Sequence, residues 1–180
     1  AELQSPVYGC LTTRLLIETN RSMDSTQLFS EFTDSLSASE KEKLVQEIYK
    51  PYRDAVQHEI EKSNNPVLHL SIHSFTPIWN GMERKTDIGI LFDPSRNAES
   101  LWAEQLKKNL QDYLPTLQLH FNEPYQGTDD GFTTWLRERF ADERYAGIEI
   151  EVNQKFASDL SGIEVALRKS IKKIITSHNH

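Results

Sequence analysis

Residues 67–75, VLHLSIHSF, constrain this chain more than any other stretch. Leu68, Leu70 and Ile72 alternate with Val67, His69, Ser71 and His73, which makes a strand with one apolar face and an imidazole at its end. In an α/β protein, ligands gather at the carboxyl ends of strands, where side chains leave the packed sheet without giving up its rigidity. Two other polar strand ends make the same exit, ETNR at 18–21 and EIEVN at 149–153. We read the three as one site.

The rest of the pattern supplies the sheet and its cover. TRLLIET at 13–19 reads as a strand, and the Ser-, Thr- and Asp-rich segment 22–37 as a surface excursion with a short helix around 27–32. Ser39 and Glu42 have capping-box spacing ahead of a helical pattern that runs to about Lys62. Pro51 is expected to kink or break it, after which Tyr52, Val56 and Ile60 resume the buried stripe. DIGILFD at 87–93, 117–121 and 145–152 read as strands, and 98–114, 133–141 and 162–176 as helices. Strands alternating with helices predict an α/β fold, a mostly parallel or mixed sheet covered by helices on both faces.

Composition bounds the function. At 180 residues and 37% apolar content, a single domain, 1–180, with a real core is expected. A net charge of −7 argues against nucleic acid, because phosphate binding needs clustered Lys and Arg, and the only basic run, Arg168 to Lys173, lies on the terminal helix. The single cysteine, Cys10, allows no intrachain disulfide framework and fits a reducing compartment. No apolar run approaches a membrane span, so a cytoplasmic protein is expected. Ala1 is not an initiator methionine, which fits an N-terminally incomplete chain.

The chemistry rests on a few side chains. His73, at a strand end, has the chemistry of a metal ligand, although a lone histidine is more often structural. His69 lies deeper on the same face and reads as packed or as supporting a ligand. Glu149 and Glu151 share one face of a strand whose other face carries Ile148, Ile150 and Val152. Two carboxylates in a covered sheet are costly unless paired, whereas on an edge strand both would be solvated. Glu151, nearer the strand end, is the better general base for a water molecule. Asn20-Arg21 offers a planar fork and an amide to a carboxylate, or else a surface turn. Arg84 with Asp87 makes either a second anion contact with its orienting partner or a rim salt bridge. His58 and Glu61 have HxxE spacing but sit in a highly charged helix and are set aside as a metal pair. There is no phosphate loop, no CxxC and no GxSxG elbow.

TRLLIETNRS, VLHLSIHSFTP, ERKTDIGILFDP, FNEPYQGTDDGFT and GIEIEVNQ, in this order, resemble the N-formylglutamate amidohydrolase family, from about Thr13 to Phe156. The resemblance implies a zinc-carboxypeptidase-like fold and a zinc-dependent amidohydrolase acting on a small N-acyl amino acid such as N-formylglutamate. It implies His73 as a zinc ligand, Glu151 as the base, and Asn20-Arg21 as the grip on the substrate carboxylate. Arg84 and the Tyr125–Gly127 turn fall in family-like stretches. Such enzymes draw their other ligands, a histidine and an acid, from a loop upstream of Asn-Arg. Here nineteen residues precede Asn20 and none is a histidine, so a fragment of a longer protein or an incomplete site is expected. A non-catalytic carboxylate-binding module, and a metallopeptidase or cell-wall amidase, are the alternative functions.

Overall fold

The computed structural model describes residues 5–177, which form two compact units. The first comprises residues 68–129 and 146–177, the second residues 5–67 and 130–145.

The first unit is built on a sheet of β1 (Val67–Phe75), β4 (Ile88–Leu91), β5 (Leu119–Phe121) and β6 (Tyr145–Asn153), in the order β1-β6-β4-β5. The antiparallel hairpin β2 (Ile78–Trp79) and β3 (Met82–Glu83) lies between β1 and β4 in sequence. Its turn is Asn80-Gly81, both at positive φ, the geometry a two-residue hairpin turn requires. β4 pairs parallel with β5 and antiparallel with β6, so the sheet is mixed.

Register divides the sheet into two chemically distinct faces. Ile88 lies opposite Val152 and Leu119, and Ile90 opposite Ile150 and Phe121, which puts the branched apolar side chains on one face. Leu68 and Leu70 of β1 join the same core. Two long helices, α3 (Asn97–Tyr113) and α5 (Ser161–Ser177), pack on each other and close this face with Ala103, Leu106, Leu110, Ile163, Ala166 and Ile174. The period of 3.6 in the two helices and of 2 in the strands carries the core.

Between β5 and β6, the loop 122–131 is pinned to the end of β4. Asn122 Oδ1 accepts from the Phe92 and Gly127 backbone N–H groups, at 3.0 and 3.2 Å. Gly127 is pressed onto Phe92, so that a Cβ there would fall 2.2–2.5 Å from its backbone atoms.

The second unit is helical. A 3-10 turn (Glu31–Thr33) precedes α1 (Ala38–Leu44), a π-helical turn (Val45–Tyr49), α2 (Lys50–Lys62) and, between β5 and β6 in sequence, α4 (Phe132–Arg137). The capping box is Ser37 with Glu40 rather than Ser39 with Glu42. Both pairs have the required spacing, and the earlier one starts the helix two residues sooner, adding backbone hydrogen bonds. Pro51 does not end the helical segment, but the regular α pattern is interrupted just ahead of it, at the π turn, where a kink or break is expected. It falls in the first turn of α2, and the π turn before it absorbs the hydrogen bond that proline cannot donate.

The predicted strand 13–19 is not a strand. Leu16 N–H closes a turn on Thr13 O at 3.0 Å, and the Thr13 hydroxyl oxygen accepts from Leu15 N–H, so local side-chain bonding wins over extension. Its buried residue, Ile17, packs with Leu28, Val45 and Tyr49 instead of a sheet. Val56, Ile60, Phe132, Leu136 and Tyr145 make a second cluster in this unit.

Gly127→Ala is expected to destabilise the protein by about 1–3 kcal/mol, the usual range for overpacking against rigid atoms, read from urea unfolding.

Candidate active site

The face of the sheet opposite the apolar core is polar. Alternation from Leu68 and Leu70 puts His69, Ser71 and His73 of β1 on it, and from Ile148, Ile150 and Val152 it puts Glu149, Glu151 and Asn153 of β6 there. β6 is an interior strand, flanked by β1 and β4, and is buried along its whole length. Glu149 is 7% exposed and Glu151 6%, which removes the edge-strand reading in which both carboxylates are solvated. Burial of this kind disfavours a charged carboxylate and demands polar company.

Some of that company is visible. His73 Nε2 lies 3.7 Å from Glu149 Oε2 and 2.7 Å from Ser71 Oγ. The histidine and one of the two paired glutamates are therefore brought together as neighbours across strands. Glu151 lies one row further along, opposite Gly89 of β4, and Gly89 is in turn opposite His120 of β5. The missing side chain at Gly89 admits the Glu123 backbone, whose carbonyl oxygen would be 2.1 Å from any Cβ placed there.

His120 is a residue that the sequence reading passed over. Its Nδ1 is 2.9 Å from Thr86 Oγ1, which lies 3.2 Å from Glu123 Oε2, so the three make a short polar chain beside the Glu151 row. The signal for it was the parity of LQLHF, where Leu119 and Phe121 point to the core and His120 away from it. Glu99, fully buried, was also missed. It accepts from Asp93 and Gly147 N–H at 2.9 and 3.0 Å and ties α3 to the start of β6, a framework role.

Arg84 sits among aromatic rings. Its guanidinium lies over the rings of Phe75, Trp79 and Tyr125 at 5.1–5.5 Å, and it donates to Tyr125 Oη at 3.2 Å. The Tyr125–Gly127 turn is thus its neighbour, whereas Asp87 is not its orienting partner. Asp87 is turned to Lys155 Nζ at 2.5 Å and to Gln118 N–H at 2.8 Å.

Asn20 and Arg21 belong to the second unit, where they grip the turn that starts α4. Asn20 Oδ1 accepts from Phe132 N–H at 2.8 Å, the first helical amide, because the cap residue Gly131 has no side chain to offer. Arg21 Nη1 donates to Asp130 O, and Ser22 N–H donates to the Asp130 carboxylate at 3.1 and 3.3 Å. With its oxygen committed to α4, the Asn20 amide keeps its two N–H donors on the other side. His58 and Glu61, set aside from sequence, lie on α2.

The resemblance implies a zinc site. A catalytic zinc takes three protein ligands and keeps an open position. Among the described residues, no three His, Cys, Asp or Glu side chains are grouped so as to hold a metal. His73 and Glu149 make two donors, and this set does not fit a complete zinc centre.

Asn20→Ala is expected to destabilise the protein by about 1 kcal/mol, as loss of a helix cap does, and Asn20→Asp to restore most of it, read from thermal melts.

The family model of N-formylglutamate amidohydrolase matches residues 11–157. A solved gene product of Agrobacterium tumefaciens shares 24% identity over 93% of this chain and 69% of its own, with a TM-score of 0.68. A solved N-formylglutamate amidohydrolase of Ralstonia eutropha JMP134 shares 18% over 88% of this chain and 73% of its own, at 0.66. Both are similar in fold. No protein with a curated description matches. The match over most of its length shows that this chain belongs to the N-formylglutamate amidohydrolase family.

Proposed function

We propose that the protein hydrolyses the amide bond of a small N-acyl amino acid, N-formylglutamate being the substrate the family name points to. The observation that carries this reading is the buried polar face of β6, where Glu149 meets His73 and Glu151 lies in the next row of a rigid interior strand. A general base works best when it is held in a fixed position within reach of the proton it removes.

In this reading, the Glu151 carboxylate takes a proton from water as the water oxygen bonds to the amide carbon. The tetrahedral species collapses with cleavage of the C–N bond, and the proton held by Glu151 passes to the leaving nitrogen, giving a carboxylic acid and a free amino acid. His73, held by Ser71 and near Glu149, is the side chain through which we propose that the carbonyl or the water is oriented. Asn20 and Arg21 are proposed to hold the substrate carboxylate through N–H donors, with Arg84 as a further anion contact. Because the donor set does not fit a complete zinc centre, no step is routed through a metal.

Carboxylate binding without hydrolysis is the second reading, favoured by that same shortfall of donors. Glu151→Gln separates the two. Under the hydrolytic reading, N-formyl-L-glutamate turnover falls about 10²–10⁴-fold while ligand affinity is kept. Absence of turnover in the unsubstituted chain, with binding retained, supports the second reading.

Elemental analysis after dialysis is expected to find well under one zinc per chain. One zinc per chain, lost in His73→Ala, would show that a full ligand set is present after all.

A further inference from the structure

Arg53 is the most unusual side chain outside the polar face. It lies on α2, is 2% exposed, and its Nη2 is buried with no hydrogen-bond partner. Its guanidinium carbon is 4.2, 4.6 and 4.9 Å from the ring centres of Phe132, Trp135 and Tyr49. Burial lowers its pKa from the ordinary arginine value, an effect that Tyr49, Asp130 and Tyr52 only partly oppose. A buried cation of this kind is expensive to keep, and apolar replacements are often tolerated as well or better.

What Arg53 does with its bonded nitrogen is specific. Nη1 donates to Thr19 O at 3.1 Å and to Arg21 O at 3.2 Å, the two carbonyls on either side of Asn20. Tyr49 Oη donates to the same Arg21 O at 2.7 Å. One guanidinium nitrogen therefore bridges the two carbonyls that flank Asn20. The Asn20 side chain is itself bonded to Phe132 N–H and the Arg21 side chain to Asp130 O. The rings that stack on Arg53 include Phe132 itself, so the same residue holds both partners of the Asn20 hydrogen bond.

We propose that Arg53 is a positioning residue for the carboxylate grip of Asn20 and Arg21, fixing the carbonyls that flank Asn20 so that its N–H donors are presented in one orientation. This rests on the reading of Asn20-Arg21 as the substrate-carboxylate contact. Arg53 touches no substrate; it acts through the backbone of residues 19–21. Lysine has neither the planar fork nor the stacking surface and does not replace it.

The test uses the full 180-residue chain carrying Glu151→Gln, so that N-formyl-L-glutamate is bound without turnover and its affinity can be read by titration calorimetry. Arg53→Met and Arg53→Lys are each expected to weaken binding about tenfold, and Tyr49→Phe a few-fold, at retained helical content. In the absence of ligand, the Asn20 side-chain amide resonances should move in all three variants, a readout that a general packing role would not single out. If Arg53→Met fails to fold, Tyr49→Phe, which removes only the hydroxyl on the shared carbonyl, decides by the same two readouts. Folded variants with unchanged affinity and unmoved Asn20 resonances overturn the proposal. Arg21→Ala is the separate control: unchanged affinity there, or no binding by the parent chain, refutes the carboxylate-grip reading, and the Asn20 resonances still judge Arg53.

Discussion

A carboxylate buried inside a sheet must find polar company or give up its charge, and β6 buries two of them in alternate positions. That constraint organises the first unit. Because strand side chains alternate, putting Glu149 and Glu151 on one face obliges Ile148, Ile150 and Val152 to occupy the other, and the register with β4 and β5 extends the division across the sheet. The apolar face acquires α3 and α5 as its cover. On the polar face gather His73, Ser71 and the Gly89 row, with Gly89 conceding its side-chain space to the Glu123 backbone. A one-residue slip of β6 would exchange the two faces, so the core and the candidate chemistry are specified by the same register.

The second unit solves a related problem with a cation. Arg53 is kept out of water by three ring faces and bound to two backbone carbonyls, an arrangement that anchors an irregular turn rather than a regular element. The turn it anchors carries Asn20 and Arg21, whose side chains are in turn bonded to the start of α4. A loop of this sort has no ladder of its own to hold it, and rigidity comes from side chains reaching in from the helices. Family membership and this rigidity together give the hydrolytic proposal its physical content: preorganised groups are held at fixed positions by parts of the chain that do not react.

Much of the fold was legible in advance where one periodicity dominates. The alternation in 67–75 and 145–152, and the helical stripes of 98–114 and 162–176, correspond to β1, β6, α3 and α5 within a residue or two. Legibility failed where local hydrogen bonding competes with pattern. TRLLIET has the alternation of a strand, yet the Thr13 hydroxyl and carbonyl fold it into a turn. Pro51 signals an interruption, but that it takes the form of a π turn is invisible to any period.

For the site, the residue types in the chain determined which side chains have chemistry to offer: a strand-end histidine, two carboxylates at i and i+2, an Asn-Arg pair, and an arginine in the loop that follows His73. Only the tertiary structure decided that β6 is interior rather than an edge, since strand order is a long-range property that no local pattern encodes. It also decided that His73 meets Glu149, that Asp87 turns to Lys155 rather than to Arg84, and that His120 shares a row with Glu151 across Gly89. Each of these relates residues far apart in the chain and is fixed by strand register and loop docking. Sequence periodicity reports which face a residue occupies, and register alone reports whom it faces there.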